Sequence, residues 1–372
     1  ARRLGVEGYE AYAVASAAFL MMVTEAPQGV DKYTLRFLPA LMERRDWARA
    51  IGLLRFSLRR ALWGALLAGA IVGLWAWQIR DFAEGVRLAV LVSCVTLPAG
   101  ALVHCGMEAL TAAGAPIRAS IIFRIGVPAL TLALICTLLV LRVEVSGAMA
   151  VACWGIAWIL AMVAMAIEFR RVAPAEVWQT RPVEEPRTWA REARPFWVYR
   201  VSLGLMGYAG VIALEWLHPS AEDVGAYSAA IGTVTLALVL ATGTNRAYSQ
   251  APSVLLERGD VAAMVDVRRK RLRWLLPAVV VFLLITFTFT DELLALFRVE
   301  FVDDGVVALR VLAGTTAFTM VFSLAPTHLK LRRHNRAMFV TVVSAAIVQI
   351  VLLVALVPRF GIDSFGSHTK QR

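Results

Sequence analysis

Residues 147–167, 224–244 and 337–358 each run without an acidic or basic side chain. Each stretch is long enough, as an α-helix rising 1.5 Å per residue, to cross the roughly 30 Å hydrocarbon core of a bilayer. A membrane β-strand would be about half as long and would alternate polar with apolar residues, so helices are the reading. Composition points the same way. Some 59% of the 372 residues are hydrophobic and 17% are charged, against roughly 25% charged in soluble domains. The chain reads as an all-α polytopic membrane protein, which excludes soluble dinucleotide-binding or TIM-barrel enzymes, nucleic-acid-binding domains and disordered chains. Ten spans are expected, at about 9–31, 61–79, 88–110, 119–141, 147–167, 196–217, 224–249, 274–296, 308–328 and 337–357.

The net charge of +11 is distributed unevenly. One alternate set of connections, around 44–60, 118, 170–194, 258–273 and 330–336, is rich in Arg and Lys, whereas the other holds Arg2, Arg3, Arg80, Arg87, Arg142, Arg298 and Arg359. The first set is assigned to the cytoplasm, where basic loops collect. That accounts for the charge without a nucleic-acid partner. Segments 47–60 and 260–273 are basic and amphipathic, and are expected to lie on anionic headgroups. The longest connection, 171–194, contains Pro174, Pro182 and Pro186 and reads as a cytoplasmic linker, with Trp178 and Trp189 at the headgroup level. Cys94, Cys105, Cys136 and Cys153 lie in apolar runs with no CxxC pair. They support neither a disulfide framework nor a metal site.

The sequence repeats itself. Ala11-Tyr12, a long apolar stretch, Pro39 and Glu43-Arg44-Arg45-Asp46 recur roughly 215 residues later as Ala226-Tyr227, Pro252 and Glu257-Arg258-Gly259-Asp260. Each copy continues into a basic segment, ending at Arg59-Arg60 or at Arg271-Leu272-Arg273. Both copies run the same way through the membrane, which predicts two parallel bundles related by an axis along the membrane normal, a transporter architecture. The expected organisation is a first bundle at 1–170, the linker at 171–194 and a second bundle at 195–372. A full helix precedes the second copy but only a few residues precede the first. The polar tail after Gly361 replaces what would be a sixth helix in the second bundle. The expectation is a two-by-six parent with its first and last helices missing from this chain, which opens on Ala1-Arg2-Arg3 as a loop would, without an initiator Met or signal peptide.

The stretches "RRLGVEGYEAYAVA" and "GVDKYTLRFLPALMERRDWARAIGLLRFSLRRAL", followed by "VGAYSAAIG", "LLERGD", "LRRHNRAMFV" and "LVPRFGI", resemble bacterial polysaccharide (O-antigen type) flippases of the multidrug/oligosaccharidyl-lipid/polysaccharide exporter superfamily. The resemblance implies an inner-membrane flippase that moves an isoprenoid-diphosphate-linked oligosaccharide by alternating access, around a central cavity between two bundles. It implies membrane lipids as surroundings, H+ or Na+ as a coupling ion and no cofactor; it leaves the glycan and the oligomeric state open. A lipid II flippase, a multidrug/cation antiporter of the same superfamily and a membrane polysaccharide polymerase or ligase stand as alternatives. An antiporter of cations calls for an acidic cavity, and the polymerases and ligases place catalytic groups in sizeable outer loops, whereas these outer loops are short. GxSxG, HExxH and P-loop patterns are absent from the sequence. No catalytic or metal-ligating residues are assigned, and the chain reads as a non-enzyme.

Charges inside spans are costly and usually face protein or water. On a continuous helix Glu25, Gln28, Lys32 and Arg36 fall within a stripe of roughly 80°, with Pro27 and Gly29 placed to loosen the helix between them. In one reading the stripe lines the cavity, Lys32 and Arg36 attract the diphosphate, and Glu25 or Asp31 binds the coupling ion. In the other these charges pair for packing alone. Arg124, Arg200 and Arg246, with Asn245 beside the last, either form a cationic lining or snorkel to headgroups. Arg246 occupies the repeat position of Asp31. His104 and Glu108, four apart, read as a proton relay or as an interhelical hydrogen bond.

Overall fold

The computed structural model describes residues 4–78, 83–217, 220–257, 261–323 and 335–360, and among them leaves aside the side chains of 240, 242–257, 261, 262, 264, 268, 335–338, 359 and 360. Every regular element among the described residues is helical. We number the α-helices α1 (Gly5–Glu25), α2 (Val30–Glu43), α3 (Trp47–Gln78), α4 (Glu84–Ala112), α5 (Pro116–Ile121), α6 (Val127–Val140), α7 (Gly147–Val172), α8 (Ala175–Gln179), α9 (Pro186–Leu217), α10 (Ala221–Glu257), α11 (Val261–Thr288), α12 (Thr290–Ala295), α13 (Val302–Phe322) and α14 (Asn335–Phe360). A π-helical turn, Ile122–Gly126, joins α5 to α6. Among the described residues, eight helices are long and apolar enough to cross a membrane. Helices also occupy the other two expected positions, as α1 and α10.

The chain divides into two compact units, Arg3–Ile212 and Ala213–Arg372. The division falls inside α9. In the first unit α4 is the central helix and packs on α1, α2, α3 and α7. Its buried side is built from Ala89, Gly100, Ala101 and Ala109, small residues that let helices approach where water cannot drive them together. The aromatic rings of Phe19, Trp154 and Trp158 fill the space between α1 and α7, with Phe19 and Trp154 centred 4.6 Å apart. In the second unit α13 takes the corresponding position, packed on α10 and α11. Leu275, Val279, Ala317 and Met320 form the core there.

The first helical stretch is not continuous. It breaks after Glu25 and restarts at Val30, with Gln28 at φ 51° and Gly29 at φ 78°. Pro27 and the left-handed backbone account for the break. The corner is held from two sides. A Cβ on Gly29 would stand 2.5 Å from the Ala193 carbonyl oxygen and the Trp197 nitrogen of α9, and one on Gly64 of α3 would overlap the Ala26 carbonyl.

Segment 47–60 is the start of α3, whose 32 residues extend about 48 Å, with Arg55 and Arg59 exposed. Its apolar side, with Ala50, Leu53, Leu54 and Phe56, is buried against Trp189 and Ala193, so protein rather than lipid covers it. Segment 260–273 likewise runs into α11, where Arg271 is buried and its Nη2 donates to Ser323 Oγ at 2.7 Å. Trp189 is buried beside Phe56 rather than at a headgroup surface; Trp178 is exposed and edge-on to Phe169. Glu215, near the end of α9, is buried as well. One side of α3 is exposed along its length: Trp63, Leu67, Ile71, Leu74 and Trp77 recur every three or four residues and are all exposed, the pattern of a helix face turned to lipid.

Candidate functional site

The break between α1 and α2 brings a layer of polar side chains together inside the first unit. Asp31, in the first turn of α2, is fully buried, and its Oδ2 accepts from Arg200 Nη1 of α9 at 3.0 Å. The next residue, Lys32, is bonded to Glu108 of α4. Gln28, in the corner itself, accepts from Arg60 Nε of α3 at 2.9 Å through its Oε1. Glu25, the last residue of α1, accepts from Thr24 Oγ1 at 3.3 Å. It faces α9 at Gly204, where a Cβ would lie 3.0 Å from Glu25 Oε1, and its charge is felt alongside those of Arg200 and Asp31. One helical turn below, Thr34 Oγ1 and Ser57 Oγ meet at 2.7 Å, buried between α2 and α3.

Local chemistry explains why these residues meet. With the corner fixed by Gly29 and Pro27, α2 restarts with a new direction and presents consecutive residues about 100° apart. Asp31 is thereby directed to α9 and Lys32 to α4. An acid in the first turn of a helix also suits the positive end of its dipole. Asp31 Oδ1 and Glu25 Oε2 are buried with no hydrogen-bond partner among the described residues. So is His104 Nε2, whose ring stacks near Trp158 at 6.0 Å and stands edge-on to Phe123 at 5.1 Å.

Of the residues singled out in the sequence, Glu25, Gln28, Asp31, Lys32, Glu108 and Arg200 come together in this layer, with His104 beside it on α4. Glu108 makes an interhelical pair, with Lys32. Arg36 does not join: it is exposed on α2 one turn beyond Lys32, its guanidinium 5.4 Å from the Phe37 ring centre. Arg124 is exposed on the π-helical turn, where such turns often mark functional positions. The Asn245 and Arg246 side chains lie outside the described residues. Arg60, Thr34 and Ser57 were not among the candidates. Arg60 closes a basic segment that reads as headgroup-facing, and nothing local in the sequence ties it to Gln28.

The layer sets the acids Glu25, Asp31 and Glu108 among the bases Lys32, Arg60 and Arg200. A second belt of polar contacts fastens the approach to α9. Arg59 Nη2 lies 2.6 Å from Glu184 Oε2, Arg49 Nε lies 3.0 Å from Glu185 Oε1, and Tyr33 Oη donates to Glu192 Oε2 at 2.8 Å. The Val183 amide donates to the Ala48 carbonyl at 2.9 Å.

No protein-family model and no curated protein matches the sequence. Solved structures do. Over 97% of its length the chain is similar to an inward-facing multidrug resistance MATE family transporter of the MOP superfamily, at 13% identity and a TM-score of 0.70, covering 88% of that chain. An outward-facing MATE family transporter matches at 14% identity and a TM-score of 0.66, over 97% of this chain and 83% of that one. A MOP superfamily transporter from Pyrococcus furiosus, described as having a binding pocket of reversed polarity, matches at 14% identity and 0.56, over 96% and 89%. The chain thus has the all-helical fold of these transporters.

Proposed function

We propose that the protein is a multi-pass transporter of the bacterial inner membrane that flips an isoprenoid-diphosphate-linked oligosaccharide by alternating access, for cell-surface polysaccharide synthesis. The observation that carries the reading is that the helical layer at the α1–α2 corner holds two cations, Lys32 and Arg200, each paired with an acid. A diphosphate cannot enter hydrocarbon unpaired, and charge-assisted bonds from ammonium and guanidinium groups are what it needs. The fold supports transport, and the sequence resemblance supports the lipid-linked sugar. In this reading the chain performs no covalent chemistry, and its two bundles are the parallel halves of a rocking transporter.

A second reading, export of organic cations, is favoured by the two orphaned carboxylate oxygens, on Glu25 and Asp31, and by the multidrug resistance named for two of the similar structures. One experiment separates the two. Protein in proteoliposomes is assayed for leaflet-to-leaflet movement of fluorescent undecaprenyl-diphosphate oligosaccharide and, in parallel, for uptake of ethidium. Translocation of the lipid-linked sugar that is lost in Lys32→Ala supports the flippase reading. Ethidium transport without lipid translocation overturns it in favour of the second.

A further inference from the structure

We infer that the start of α3 carries a site for the phosphodiester headgroup of an anionic phospholipid, formed by Arg55 and Arg59 one turn before Trp63, and that the lipid competes there with Glu184 for Arg59. Occupancy of the site sets how firmly the strap ahead of α9 is fastened. The inference concerns regulation and is independent of which substrate is moved.

Arg55, Arg59 and Trp63 are spaced four apart, so they share one face of α3 within about 80°. All three are exposed, Trp63 by 65%. The same face continues as Leu66, which is exposed as well. A face that passes from arginine through tryptophan to leucine has the profile of a helix crossing the headgroup level. Arg55 makes no ion pair or hydrogen bond among the described residues. Arg59 has Glu184, whose carboxylate oxygens lie 2.6 and 3.4 Å from its two terminal nitrogens. Two like charges four apart on a helix repel each other, and one glutamate serves only one of them. A phosphodiester offers the same fork of anionic oxygens to a guanidinium, and between Arg55 and Arg59 it serves both.

The pair that the lipid displaces is weak. Arg59 is 54% exposed and Glu184 23%, so water and salt screen their attraction. What it loosens is a defined piece of chain. Residues 180–185 run without helix from α8 to α9 and cross α3 at Gly52, where a Cβ would stand 1.9 Å from the Val183 carbonyl oxygen. Besides the Glu184 pair, the strap is held by the Val183 amide on the Ala48 carbonyl and by Glu185 on Arg49. It leads directly into α9, the helix that carries Arg200 to Asp31. An anionic bilayer therefore loosens the start of α9, and a zwitterionic one leaves it fastened.

The test places the full chain in nanodiscs of phosphatidylcholine, with and without added phosphatidylglycerol, at constant ionic strength. Amide exchange is followed in the peptide that carries Val183. Phosphatidylglycerol is expected to speed exchange there several-fold in the wild type. Arg55→Gln, which removes no contact of the strap, is expected to keep the phosphatidylcholine rate in both bilayers, and Arg55→Lys to retain most of the response. Glu184→Gln is expected to exchange at the fast rate in both. Soluble glycerol phosphate added to phosphatidylcholine nanodiscs is expected to have no effect. Equal wild-type rates in the two bilayers overturn the inference. Acceleration that survives in Arg55→Gln overturns the site, because the bilayer's overall charge then suffices. Acceleration by glycerol phosphate alone overturns the lipid as its occupant.

Discussion

Arg200 reaches across from α9 to place its Nη1 3.0 Å from Oδ2 of Asp31, a carboxylate with no exposure at all, so that residues 169 apart in sequence share one buried charge pair. Removing one partner of such a pair costs far more than the pair contributes, because the survivor stays buried and charged. Asp31→Ala is expected to lower stability by about 3–5 kcal/mol. The Asp31→Asn/Arg200→Gln double variant is expected to lose less than the summed losses of its Asp31→Asn and Arg200→Gln single variants. Thermal unfolding of wild type, the two single variants and the double variant in detergent measures the coupling, and additive losses would show that the pair is not coupled.

Gly29 is fixed by two independent demands, its φ of 78° and the α9 backbone that stands where a side chain would go. Gly29→Ala is expected to destabilise by about 2 kcal/mol or more, through left-handed backbone strain and displacement of α9. A melting temperature equal to that of the wild type would refute this account of the corner.

Ile71 sits on the exposed stripe of α3 between Trp63 and Trp77. If that stripe faces lipid, Ile71→Arg adds about 2.5–3.5 kcal/mol to the cost of membrane insertion. The membrane-integrated fraction of the expressed protein is expected to fall sharply, whereas Ile71→Leu is expected to leave it unchanged.

The belt between α3 and the approach to α9 is of a different kind. Arg59 and Arg49 are about half exposed, so their pairs with Glu184 and Glu185 are screened by water and salt. Glu184→Gln and Glu185→Gln are each expected to cost less than about 1 kcal/mol. Reversing both charges is expected to speed hydrogen exchange in the first turns of α9, an effect that high salt reproduces in the wild type.

Helix positions were legible in the sequence because bilayer thickness dictates their length. The weak point at Pro27 and Gly29 was legible too, since both residues disfavour a straight helix. What followed from it was not. A stripe drawn by angle alone includes Arg36, but Arg36 lies one turn beyond Lys32 on α2, past the buried layer, and is exposed. Segment 47–60 has the periodicity of a surface helix, and periodicity alone cannot distinguish lipid from protein as the cover. The cover is Trp189 and Ala193, more than a hundred residues away. The pairs Asp31–Arg200 and Lys32–Glu108 were out of reach for the same reason: the candidate charges were visible one by one, but their pairing is a property of the packing.

Asp31 and Lys32 are neighbours in the chain, yet they are tethered to different helices, one to α9 and the other to α4. Two tethers leaving a cylinder about 100° apart oppose its rotation in either sense. The α2 helix is therefore indexed like a toothed wheel, unable to turn about its own axis until both tethers let go together.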